Sequence, residues 1–208
     1  MPHTTLNLIR AQSPAPEGWW SRLLRRLGKD AADAEPLSLL TILDVAGQAM
    51  AMWTLDWAVP GYDREKRLLA IAIARDVQPA VADPRAGIAL EVADRHARGE
   101  ASDEELAAAA AAARQAYVDD RDLDQRAAAA YAAAAIAAGP CPTILATADA
   151  ADAASFAAGG YCCAVHIRRI FGAPRQNAHN TEPDLGEDAL RAATVPIGAP
   201  MRPHRAPG

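Results

Sequence analysis

Aromatic side chains are scarce in this chain: two phenylalanines, four tryptophans and four tyrosines among 208 residues, although 51% of the residues are hydrophobic. The core therefore cannot rest on large rings, and alanine has to carry much of the apolar content. Each alanine removes little area from water, at roughly 25 cal/mol per Å² of apolar surface. Stability must come instead from many close helix contacts and from intrinsic helix propensity. Cysteine is sparse too. Cys141, Cys162 and Cys163 are odd in number and irregular in spacing, which excludes a secreted disulfide framework. Adjacent Cys162 and Cys163 are poorly placed to bridge each other. No apolar run approaches the roughly 20 residues of a membrane span. Pro2, His3, Asn7 and Arg10 interrupt any signal-peptide core in the first thirty residues, so a reduced, cytoplasmic protein is expected. Gly-rich phosphate loops, G-x-S-x-G, H-E-x-x-H and C-x-x-C are all missing. Catalysis has no motif to rest on, and no cofactor is expected. A formal net charge of −5 argues against general nucleic-acid binding.

What the chain does have is alanine in runs. Ala127 to Ala138 read AAAAYAAAAIAA, twelve positions whose only polar group is the Tyr131 hydroxyl. A helix apolar on every face has to be surrounded by other helices, so this run marks the centre of an alanine-packed bundle. Burying a charge in it, as in Ala134→Asp, should unfold or loosen the domain.

Capping residues place its neighbours. Asp83-Pro84 opens a helix that stops at Gly99. Ser102 and Glu105 form a capping box for the next, and Asp119 to Asp124 lead into the all-apolar one, which Gly139-Pro140 ends. Upstream, one helix is expected over Leu37 to Ala58, with Gly47 weakening it or permitting a close crossing. Another is expected from Arg64 to Ala82, capped by Asp63 and shortened near Pro79. Downstream, a helix runs from Pro142 to Phe171, kinked or split at Gly159-Gly160. Trp19 to Lys29 is a short basic amphipathic helix preceded by an irregular segment and followed by a linker. Six prolines between 173 and 208 mark a flexible tail. The expected fold is all-α: an N-terminal arm (1–36), a single alanine-rich bundle of six long helices (37–172) and a disordered tail (173–208).

The segment REKRLLAIAIARDVQPAVADPRAGIALEVADRHARGEASDEELAAAAAAAR, Arg64 to Arg114, resembles an uncharacterised alanine-rich all-helical bacterial family found in planctomycete-type genomes and mobile elements. The likeness lies in Asp83-Pro84-Arg85, in the helix Ala89 to Gly99, in Ala101 to Leu106 and in the closing Ile167-Arg168-Arg169-Ile170-Phe171-Gly172-Ala173-Pro174. It spans residues 64–175. The family usually carries cysteines in the Leu68–Val77 helix, where this chain has Ala70, Ala72 and Ala74, so no role of those cysteines carries over. Relatives are sometimes labelled immunity proteins, which implies a non-catalytic inhibitor acting on a protein partner.

Charge supplies the candidate interaction surface. Glu100 to Asp124 holds eight acids against two arginines, net −6, whereas the first thirty residues are net +3. Glu104, Glu105, Asp119, Asp120 and Asp122 make an acidic helical face. Trp19, Trp20, Arg22, Arg25 and Arg26 make a basic aromatic one, which could dock on the protein's own core, on the acidic face or on an anionic membrane. Asp119 to Asp124 alternates oxygens like a calcium loop but, counted from Asp120, lacks its glycine (Gln125) and terminal glutamate (Tyr131); capping is the stronger reading. Trp53 and Trp57 share one helix face and read as a core seam. His96 should meet the last carbonyls of its helix. Cys162, Cys163 and His166 lie within about one turn, and a metal site would need further ligands from Cys141 or His96.

The first functional reading is a protein-binding protein, with an immunity or inhibitor role within that class. The alternatives are a metal- or thiol-dependent enzyme built on Cys162, Cys163 and His166, and a self-associating structural or phage component.

Overall fold

A computed structural model describes residues 1–12, 17–120, 124–155 and 163–172, and ten helices are formed among them. The only sheet there is one short antiparallel pair. Strand β1 (His3–Thr4) lies against β2 (Leu37–Ser38), with His3 opposite Ser38 and Thr4 opposite Leu37. The fold class is all-α, as the periodicity implies.

The N-terminal segment is not irregular. After β1, Thr5 caps helix α1 (Leu6–Ala11) by accepting the Leu8 N–H. Leu6 and Ile9 are fully buried, and the buried Thr4 hydroxyl donates to Ala58 O at 2.7 Å. Six residues with two buried apolar side chains are too short to show a clear 3.6-residue period, which is why the sequence reads as loop. Helix α2 (Glu17–Leu27) follows. The stretch expected as a linker is pinned by Lys29, which meets both Asp33 and Glu35.

The helix expected over Leu37 to Ala58 is two helices, α3 (Leu39–Ala46) and α4 (Gln48–Trp57). Gly47 stands at φ +89° between them, backbone that only glycine adopts readily. A Cβ there would meet nothing within 4 Å, so the glycine serves the turn and not a close crossing. Helix α5 (Asp63–Val77) runs into a single 3-10 turn at Gln78–Ala80, and Pro79 shortens it as expected. Its N-cap is Tyr62 at φ 63°, and Asp63 is the first helical residue instead of the cap.

Helix α6 (Pro84–Ala97) is capped by Asp83 and terminated by Gly99 at φ 78°. Helix α7 (Asp103–Asp119) has the full capping box of Ser102 and Glu105. Helix α8 (Gln125–Ala137) is capped by Asp124, whose side chain accepts the Ala127 N–H at 2.7 Å. The last expected helix is observed as α9 (Ile144–Ser155) and α10 (Ala164–Phe171). Gly159-Gly160 and the tail at 173–208 lie outside the described residues.

Helix α8 is the hub: α5, α6, α7 and α9 all pack on it. Its alanines at 127, 129, 130, 133, 134, 135 and 137 are buried with Tyr131. One stripe is not covered. Ala132 is exposed and Ile136, one turn on, is only half-buried. Helices α7 and α9 flank that stripe and pack along α8 without extensive contact with each other.

Candidate functional site

The uncovered stripe of α8 is the floor of an apolar groove of about 590 Å³. Ala132, Ala135, Ile136 and Gly139 recur three and four residues apart and so share one side of the helix. Arg114, Tyr117 and Val118 of α7 form one wall by the same spacing, and Ala146 of α9 lies on the other. Tyr117 is 48% and Val118 70% exposed, and both adjoin the open stripe. The Tyr117 ring meets Tyr131 edge-on, with centroids 6.5 Å apart. Tyr131 is buried, and its hydroxyl donates to Asp120 at 3.3 Å; loss of water around it raises its pKa, and the Asp120 charge adds to this.

A second cleft, also of about 590 Å³, adjoins the first and shares Cys141 and Thr143 with it. It is the cleft with the polar groups, Asp56, Asp63, Arg64, Lys66, Arg67 and His96, gathered around it beside Trp57. Its framework is a set of ties from α4 and α5 to the α8–α9 turn. Arg67 is only 6% exposed and donates to three carbonyls: Ala137 O at 3.1 Å, Gly139 O at 2.7 Å and Pro140 O at 3.1 Å. Ala137 O is a carbonyl that the end of α8 leaves without a partner, the other two belong to the turn beyond it, and a cation suits the negative end of the α8 dipole. Burial lowers the Arg67 pKa from its ordinary value; the charges of Cys141, Asp103 and Asp63 act against this. Asp56 does the complementary job at the start of α9, accepting the N–H groups of Leu145 at 3.0 Å and Ile144 at 3.4 Å. Desolvation raises its pKa, opposed by those two hydrogen bonds and by Lys66. Lys66 itself donates to Val59 O at 2.8 Å.

The sequence marks neither cleft. Trp57, expected with Trp53 in a core seam, is 56% exposed on the polar cleft, whereas Trp53 packs against the core. Trp57 is the last residue of α4, which also carries Trp53, and sits where the helix end borders the cleft. His96 reaches across the α6–α7 turn to Asp103 at 2.8 Å instead of binding its own helix end. Its Nδ1 is buried and has no hydrogen-bond partner among the described residues.

The residues expected to form an interaction surface are largely engaged within the protein. Leu23 of α2 is fully buried, Trp19 and Trp20 pack against the core, and Arg10 stacks over the Trp20 ring at 5.4 Å. Arg26 donates to Val45 O, and Arg22 and Arg25 are exposed. The amphipathic helix thus docks on α3. On the acidic face, Arg85 joins Asp83 to Asp119, both at 2.6 Å, and Arg95 meets Glu105 at 3.4 Å. Hydrogen bonds from Gln115 and Arg85 lower the Asp119 pKa, and those from the Ser102 N–H and Arg95 lower that of Glu105. Glu104 is exposed, Asp120 accepts from Tyr131, and Asp122 lies outside the described residues.

Cys163 and His166 are not brought to one centre. The Cys163 thiol is buried 3.2 Å from Met52 Sδ, and His166 Nε2 is 2.7 Å from Asp76. Cys162 lies outside the described residues. Among the described residues, no group of three or more His, Cys, Asp or Glu side chains is placed to hold a metal ion. No described helix is long and apolar enough to cross a membrane. No family model, curated protein or solved structure matches the chain.

Proposed function

We propose that the protein is a non-catalytic binding protein that takes a segment of another protein into the paired cleft around the α8–α9 turn. One observation carries this reading: α8 is apolar on every side, yet its stripe at Ala132 and Ile136 is left open between α7 and α9. An apolar face without a cover is a site for a partner. The residue types lining the two adjoining clefts, Trp57 and Arg64 in one and Tyr117 and Arg114 in the other, are those that concentrate binding energy in interfaces. An immunity or inhibitor role, suggested by the resemblance of residues 64–175 to relatives labelled in that way, is one form of this function: occupying a partner's surface needs no catalytic group. The expected acidic face and amphipathic helix give way here to the paired cleft, because their charges and rings are largely used internally.

Cys141 makes the proposal testable, being exposed where the two clefts meet. With Cys162→Ser as background, a photo-crosslinker attached to Cys141 should give one dominant protein adduct in cells that make this protein. Val118→Asp, on an exposed position, should abolish the adduct without changing the melting temperature. A spread of minor adducts that ignores Val118→Asp would overturn the proposal.

A further inference from the structure

We infer that the segment seated in the paired cleft is an apolar stretch of a partner protein with carboxylates on both sides of it, held by Arg64 in the polar cleft and Arg114 in the apolar groove. The inference rests on the binding-protein reading above and adds the chemistry of the occupant.

The argument starts from which cations are already in use. Arg75, Arg85, Arg95, Arg98 and Arg168 each reach a carboxylate. Lys66, Arg67 and Arg126 donate to carbonyls. Arg64 and Arg114 are exposed and meet no acceptor among the described residues, and each lines one of the two adjoining clefts. The other exposed arginines without an acceptor lie elsewhere: Arg22 and Arg25 on α2, and Arg10 on α1, stacked over Trp20. Each of the two adjoining clefts thus has one idle guanidinium.

The local charge agrees. Arg64, Lys66, Arg67 and Arg114 face Asp56 and Asp63, four cations against two carboxylates, or +2, on a chain of −5. Asp56 is occupied by two backbone N–H groups, Asp63 lies in the first turn of α5 where the helix dipole favours it, and Asp103 at the edge is engaged by His96. What the site offers a visitor is therefore one free positive charge in each cleft beside an apolar floor. An acidic segment is drawn in by that field, and like-charged segments are rejected. A nucleic-acid backbone would match the charges but not the floor of Ala132, Ala135 and Ile136.

The test is selection of a random twelve-residue peptide display library on the full-length protein, followed by affinities of synthetic peptides from it. Peptides with an apolar centre and Asp or Glu on each side should dominate. Their binding should weaken about tenfold in Arg64→Glu and in Arg114→Glu, and weaken further with added salt, as expected for charges at an interface rim. Arg22→Glu should leave it unchanged. Selected peptides that lack acidic flanks, or that ignore both reversals yet are lost in Val118→Asp, would overturn this inference and leave the binding-protein reading intact. Peptides indifferent to all three cleft variants, or a library that enriches nothing, would overturn the inference too; indifference to Val118→Asp would also count against the reading beneath it.

Discussion

Around α1 to α5 most of the buried residues are long or branched, among them Leu6, Ile9, Leu23, Leu39, Ile42, Leu55, Leu69 and Ile73. Around α7 to α9 they are nearly all alanine, with Leu106, Tyr131 and Ile144 the main large side chains. The two regions close their helix junctions differently. A leucine reaches across the space where three helices meet and fills it. An alanine lets two helices approach closely along their seam, but it cannot reach a third. The alanine-rich region consequently packs well in pairs, α8 on α7 and α8 on α9, and leaves a groove where α7 and α9 diverge. The open site is thus a consequence of how this part of the core is built.

Two substitutions two residues apart on α8 test that contrast most sharply. Ala134 is 1% exposed and Ala132 is exposed. Ala134→Asp buries a charge without a partner and should destabilise by about 4 kcal/mol or more. Ala132→Asp should cost under about 0.5 kcal/mol, as surface changes usually do. Chemical denaturation measures both. Similar losses would mean that the stripe is covered and that the groove does not exist in solution.

The bulky region should respond to truncation instead of charge. Leu23 is the fully buried residue of α2, and Leu23→Ala should cost about 3 kcal/mol. If α2 were a free arm waiting for a partner or a membrane, the same change would leave the melting temperature untouched.

How much of this is legible in the sequence follows from the same contrast. Periodicity and caps are local, so Asp83-Pro84, the Ser102–Glu105 box, Asp124 and Gly99 all mark helix ends where they occur. The junctions are not local. Arg67 reads as one more charged residue in an apolar helix, and nothing near it in the chain signals that it ties down carbonyls seventy or more residues away. Asp56 likewise caps a helix about ninety residues downstream. The α7 wall of the groove has a helical-spacing signal in Arg114, Tyr117 and Val118, but the sequence does not say that α9 stands off from it. Gly47 was visible as a weak point, and only the positive φ shows that it separates two helices. Leu6 and Ile9 are too few to declare a helix.

Arg67 joins the two regions, and its removal should have an intermediate effect. Arg67→Ala leaves three carbonyl oxygens at the end of α8 without their donor. Such losses run to about 1–3 kcal/mol per buried group, but water entering through the polar cleft would recover some, so a total of about 2 kcal/mol is expected. Hydrogen exchange should show the loss concentrated at the α8–α9 turn. A uniform loss across all helices would mean that Arg67 supports the fold as a whole and not this junction.

The smallest effect is expected at Asp56, and its sign is informative. Desolvation raises the carboxyl pKa in the folded protein above its ordinary value. The ionised form is therefore favoured less in the folded than in the unfolded chain, and the group lowers stability at all pH values above its folded pKa. That cost fades as pH falls through the folded pKa and is gone below the ordinary one. Asp56→Asn removes the charge, but its one oxygen can keep only one of the two hydrogen bonds, which Asp56 makes to Ile144 and Leu145 through separate oxygens. That loss does not depend on pH, so the charge shows as a slope: the stability of the variant relative to the parent should fall by up to about 1 kcal/mol as pH drops from 7 to near 3.5. The opposite result, an Asn variant that gains on the parent as pH falls, would show that the charge itself holds the start of α9. The α8–α9 turn would then be an electrostatic clasp between Asp56 and Arg67, sensitive to any charged segment entering the cleft beside it.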